Sequence, residues 1–136
     1  MLTKATWPLF TLSSRKSQIN TNPDYQRPSV WTKSQKQLLI DTILRDYDIP
    51  KIYLHKRDNN TFDVIDGQQR IRTIWSFYNN EFALAKDADD VNGCVIANKK
   101  YSELPIEITT IIDSYTLDFV ILDNPNEDEI REMFLR

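Results

Sequence analysis

The chain has 136 residues, 40% of them hydrophobic, with 17 Lys and Arg against 20 Asp and Glu for a net charge of −3. That length fits one domain, and the apolar content excludes an intrinsically disordered chain. No stretch approaches the roughly 18–20 apolar residues of a membrane span, residues 1–12 lack the apolar run of a signal peptide, and the cytoplasm is the expected compartment.

Single residues exclude more. Cys94 is the only cysteine and His55 the only histidine, so neither a disulfide framework nor a multi-histidine metal site can be built. Gly67 and Gly93 are the only glycines, too few for a Gly-rich phosphate loop of the Walker or Rossmann type. Charge is unevenly spread: residues 1–80 carry +5 and residues 81–136 carry −8. A polyanion is expected to meet the first part.

In chain order, Trp7 to Ile19 reads as one or two strands. Asn22 to Pro28 is a proline-bracketed loop. Thr32-Lys33-Ser34-Gln35 has the spacing of a capping box. Leu39, Ile40, Ile43, Leu44 and Tyr47 share one face, which predicts a helix from 33 to 46 that stops before Pro50. Lys51–Lys56 and Thr61–Ile65 read as strands joined by the turn Arg57-Asp58-Asn59-Asn60. Asp66-Gly67 ends the second strand. Ile71, Ile74, Trp75 and Tyr78 then predict a helix from Gln68. A polar region covers 86–100. Pro105–Tyr115 reads as a short helix, Thr116–Leu122 as a strand, and Asn124-Pro125-Asn126-Glu127 as the start of a last helix carrying Ile130, Met133 and Phe134. That pattern breaks off at Arg136, so the natural polypeptide is expected to continue.

Two constellations carry chemistry. In Asp66-Gly67-Gln68-Gln69-Arg70 a strand passes through one glycine into a helix. A helix N-terminus offers unpaired N–H groups and partial positive charge. Gly67 allows close backbone approach and φ > 0. Arg70 can offer phosphate a bidentate fork, with Arg72 as a second cation nearby. Gln68 and Gln69 supply donors and acceptors, and Asp66 can hold a magnesium ion or orient Arg70. The plain structural alternative makes Asp66 a cap, Gly67 a turn and Arg70 a solvated charge, and spacing alone favours it. The second constellation, Tyr25-Gln26-Arg27 with Trp31 four residues on, could stack on a base and hydrogen-bond its edge or a phosphate. Trp31 beside an amphipathic helix is better read as a core anchor. His55, beside Lys56 and Arg57, is expected at the surface or on an edge strand. The acidic run Glu127, Asp128, Glu129 and Glu132 reads as a helix N-terminus and solvated face, not a metal site. Cys94 is assigned no role.

Taken in order, Asn22-Pro23-Asp24-Tyr25-Gln26-Arg27, Trp31, Gln37 to Leu44, Ile49-Pro50-Lys51-Ile52-Tyr53-Leu54 and Val64-Ile65-Asp66-Gly67-Gln68-Gln69-Arg70 resemble the N-terminal domain of GmrSD-type restriction endonucleases, the domain of unknown function 262. The resemblance implies an α+β fold of ParB/sulfiredoxin type, a small mixed sheet with flanking helices. It implies that Asp66 to Arg70 is a signature of nucleotide binding and hydrolysis, with Tyr25 to Arg27 at the pocket wall, and it reverses the preference for the plain structural alternative. The expected role is a nucleoside-triphosphate-binding domain, working with Mg²⁺, of a modification-dependent restriction or anti-phage defence protein. Asp66, Gln68, Gln69 and Arg70 are the expected catalytic residues. Tyr25, Gln26, Arg27, Gly67 and Arg70 are the expected nucleotide-binding residues. DNA would be met through the full-length protein. A His/Asn/His nuclease cannot be built from one histidine, so the nuclease domain is missing and no DNA cleavage is expected. The family pattern continues past a Phe-x-x-x-Asn element, of which only Phe134-Leu135-Arg136 remains. The alternative functions are a DNA-sensing module, which the basic first half would suit, and a protein-interaction scaffold.

Overall fold

In this computed structural model, residues 2–22, 30–123, 128–129 and 131–132 are described. Five strands form one sheet: β1 (Leu2–Pro8), β2 (Ile19–Asn20), β3 (Ile52–Lys56), β4 (Phe62–Asp66) and β5 (Thr116–Asp123), in the order β1-β5-β3-β4-β2. The sheet is mixed. β1 runs antiparallel to β5 and β3 to β4, whereas β5 is parallel to β3 and β2 to β4. Among the described residues, helices α1 (Leu9–Ser14), α2 (Lys33–Leu44), α3 (Gln68–Tyr78) and α4 (Ile106–Ser114) accompany it. This is the expected α+β architecture with flanking helices.

The period-2 alternation of the strands assigns their faces. Ile52, Leu54, Val64, Phe119 and Leu117 share one face and merge with Leu9, Leu12, Ile40, Ile43, Ile71, Ile74, Ile108 and Ile112 of the helices into one core. His55, Ile65, Val120 and Leu122 are buried on the opposite face.

Local signals explain the helices. Thr32 Oγ1 accepts from the Gln35 N–H at 3.2 Å, and Gln35 Oε1 accepts from the Thr32 N–H at 2.8 Å. This is the predicted capping box, a device worth about 1 kcal/mol. α2 ends two residues before the predicted limit, and Tyr47 is exposed rather than part of the buried face. Arg45 follows α2, pairs with Asp41 at 3.1 Å, and donates to the main-chain oxygens of Asp89 and Asp90 at 2.8 and 3.0 Å. The polar 86–100 region is thereby latched to α2, and its Val91 and Ile96 are buried. Asp113 of α4 accepts from the Tyr78 and Tyr101 hydroxyls at 2.6 and 2.9 Å. Burial and that carboxylate push the Tyr101 phenol up to about 12 and the Tyr78 phenol higher still.

Two expectations need correction. The stretch from Trp7 is not strand through to Ile19: β1 stops at Pro8 and α1 follows. Leu9 and Leu12, three apart, are both fully buried, and the Trp75 indole donates to the Leu12 carbonyl at 3.2 Å. Six residues are too few to display helical periodicity, so tertiary burial decides the conformation. His55 is neither exposed nor on an edge. β3 lies in the middle of the sheet, and His55 is 8% exposed. The β3–β4 turn forms where predicted, with Arg57 N–H bonded to the Thr61 carbonyl at 2.8 Å and Asn59 and Asn60 in the left-handed region. Residues 128–129 and 131–132 are helical, within the predicted last helix; Asn124 to Glu127, Ile130, Met133 and Phe134 lie outside the described residues.

His55 Nδ1 is buried without a hydrogen-bond partner. Burial, reinforced by Arg57, lowers its pKa, and Asp63 and Asp123 oppose this only in part. The fold therefore favours neutral His55, while the unfolded chain takes up a proton below its ordinary value of about 6.5. Stability should fall as the pH drops below about 6.5 towards the lower folded value. Urea midpoints measured between pH 7 and pH 5 check this: the wild-type midpoint should decline, and His55→Leu should flatten the decline.

Candidate functional site

The site is built where β4 gives way to α3. Gly67 stands at the helix N-cap with φ 112°, in the left-handed region. A Cβ there would collide with Ile52 Cδ1 and lie 3.3 Å from an Arg70 guanidinium nitrogen. Ile52 is fully buried, so its terminal carbon has nowhere to swing. Two independent reasons, backbone conformation and packing, therefore demand glycine.

The side chains around this turn are mutually committed. Gln68 folds back and accepts from the Gly67 N–H at 3.1 Å. Gln69 Oε1 accepts from the Trp31 N–H at 3.2 Å. Arg70 donates to the Pro50 carbonyl, just ahead of β3, and lies 3.7 Å from Asp66. The Arg70 side chain is 12% exposed and that of Asp66 is 53% exposed. Burial pulls the Arg70 guanidinium below its ordinary value, and Asp66 acts in the opposite sense. Arg70 is thus not the solvated charge of the plain structural alternative. It is a largely desolvated cation with one loose carboxylate, set at the positive end of α3. By helix geometry the N–H groups of Gln69 and Arg70 precede the first intrahelical bonds.

Arg72 does different work. It donates to Thr21 Oγ1 at 3.0 Å and to the Thr21 carbonyl at 2.6 Å. Tyr25, Gln26 and Arg27 lie outside the described residues, within 23–29. Thr21 precedes that segment and Trp31 follows it, and both are tied to α3, by Arg72 and Gln69 respectively. Trp31 packs against the core, as expected. Sequence reasoning found Asp66 to Arg70. It did not single out the Pro50 carbonyl, Thr21 or Ile52, which lock the turn. The only signal was proximity to Pro50, since a backbone oxygen leaves no mark in side-chain patterns. No group of three His, Cys, Asp or Glu side chains able to hold a metal occurs among the described residues. None of their helices is long and apolar enough to cross a membrane.

A family model described as the GmrSD restriction endonuclease, N-terminal domain, matches residues 9–136. The chain belongs to that family. A solved structure similar to this GmrSD-type domain is the C-terminally truncated chromosome-partitioning protein ParB from Caulobacter crescentus complexed with CTP-gamma-S, at 10% identity and a TM-score of 0.47. The similarity covers 96% of this chain and 49% of that one, so the chain spans about half the length of that relative. No curated protein matches the chain.

The Gly67 packing is testable. Gly67→Ala should destabilise the domain by about 2–4 kcal/mol, combining left-handed strain with overpacking. Ile52→Val removes Cδ1 and should cost about 0.5–1.5 kcal/mol alone. In chemical denaturation the double variant should be more stable than the sum of the two losses predicts.

Proposed function

We propose that this domain binds a nucleoside triphosphate at the Asp66–Arg70 turn. The observation that carries the reading is the setting of Arg70: a mostly buried guanidinium, only loosely paired, beside a glycine turn at the N-terminus of α3. Burying a cation is costly unless charge balances it. A phosphate at the turn would supply that balance and meet the leading N–H groups of α3. The membership of the chain in a restriction endonuclease N-terminal family supports a nucleic-acid defence role.

The residues divide the work as follows. Gly67 makes the left-handed turn against Ile52 from which the N-terminus of α3 is presented. Arg70, held in place by the Pro50 carbonyl, neutralises phosphate charge. Gln68 and Gln69 have their side-chain oxygens committed to backbone N–H groups, so they shape the turn, and the amide NH₂ of Gln69 is its remaining donor. Tyr25, Gln26 and Arg27, on the segment tethered to α3 at both ends, would form the pocket wall. Asp66, half-exposed and the only carboxylate of the motif, suits a nucleotide-bound magnesium ion, which usually takes one or two protein carboxylates beside phosphates. Magnesium would supply further charge neutralisation. Any hydrolysis would rest on phosphate positioning and electrostatic stabilisation by these groups, without a covalent step.

In this reading the chain is one cytoplasmic domain, the front part of a longer restriction protein. A separate nuclease domain would meet DNA and cleave it. Titration with each of the four ribonucleoside triphosphates and Mg²⁺ tests the proposal. Binding is expected, and Arg70→Ala should weaken it about tenfold or more, the loss of a charge-assisted contact. Equal affinity in a folded Arg70→Ala protein would remove Arg70 from the site.

A further inference from the structure

A second cleft opens at the other end of the sheet. Its volume is about 400 Å³, in the range of small-molecule sites. Trp7, Phe62 and Ile121 give it an aromatic and aliphatic floor, and Arg15 and Lys56 stand at its wall. Phe62 begins β4 and Gly67 follows its end. Five residue steps of about 3.3 Å put Gly67 roughly 16 Å from Phe62 along that strand.

The chemistry of this cleft is specific. Trp7 packs on Phe119 with ring centroids 4.5 Å apart and meets Phe62 edge-on at 5.9 Å. The Arg15 guanidinium lies 4.7 Å from the centre of the Trp7 ring. A guanidinium beside an aromatic ring can offer a stacking surface to a base as well as a ligand to phosphate. Lys56 is half-buried and belongs to no ion pair among the described residues. Its register neighbour Asp123 does not line the cleft, and no carboxylate among the described lining residues does. Two cations beside an aromatic floor, with no acid among the described residues lining the cleft, favour an anion that carries a flat apolar body. The amides of Gln18 and Asn60 and the hydroxyl of Thr3 add donors and acceptors at the rim.

The geometry points to a second ligand site that takes a nucleotide unit, its base over Arg15 and the Trp7 floor and its phosphate on Arg15 and Lys56. The unit can belong to an unstacked strand or be a free nucleotide, because both present the same base and phosphate. The site is independent of the Asp66–Arg70 turn.

Fluorescence anisotropy of a labelled single-stranded oligothymidylate, titrated with the full chain, tests this. Arg15→Gln and Lys56→Gln should each weaken binding about tenfold. Each should also reduce the slope of log affinity against log salt by about 0.7. Arg70→Ala should leave this binding unchanged, so a failed triphosphate site and a failed cleft give different results. Competition by thymidine monophosphate at matching concentration identifies the free nucleotide as the ligand. Binding of the strand without such competition identifies the strand. Absence of binding by both, full binding in folded Arg15→Gln and Lys56→Gln proteins, or loss of binding with Arg70→Ala overturns the proposal.

Discussion

The fit of Gly67 against Ile52 is the constraint on which the site depends. The end of β4 comes so close to the buried Ile52 side chain that no Cβ fits between them. The residue there must therefore be glycine, and glycine also permits the left-handed turn from which α3 starts. From that starting point everything else is placed. Gln68 reaches back to the turn, Gln69 reaches Trp31, Arg70 reaches Pro50, and Arg72 reaches Thr21. The glycine turn thereby sets the positions of four polar anchors on the first turns of a single helix.

These anchors bind together parts of the chain that are far apart in sequence. Arg70 links α3 to the approach of β3, while Gln69 and Arg72 hold the two flanks of the 23–29 segment. Thr21 and Trp31, which flank residues 23–29 in sequence, are each joined to α3 by a bond to a backbone atom. Side-chain identity at Thr21 matters only for the hydroxyl bond, since the shorter Arg72 contact is to a carbonyl.

What could be read from the sequence follows from how local each cause is. The capping box at Thr32 and Gln35, the asparagine turn after Arg57 and the glycine between β4 and α3 are each written in a few adjacent residues, and all three form. α1 is decided by where Leu9 and Leu12 are buried, which six residues cannot announce. His55 sits among charged neighbours in sequence, yet the strand order puts β3 between β5 and β4, and strand order is a property of the whole chain. In the candidate site, Asp66, Gly67 and Arg70 were legible as a motif. The commitment of the Gln69 oxygen to the Trp31 N–H was not, because it depends on which distant segment passes within 3.2 Å.

The Arg45 latch bears on how the sequence can drift. Arg45 grips the loop through the main-chain oxygens of Asp89 and Asp90, which every amino acid possesses. The two anchoring hydrogen bonds therefore do not depend on the side chains at 89 and 90, although the Asp89 carboxylate adds its attraction for the Arg45 cation. The selective pressure to preserve that anchor falls on the cation at 45 and on Asp41, which orients it.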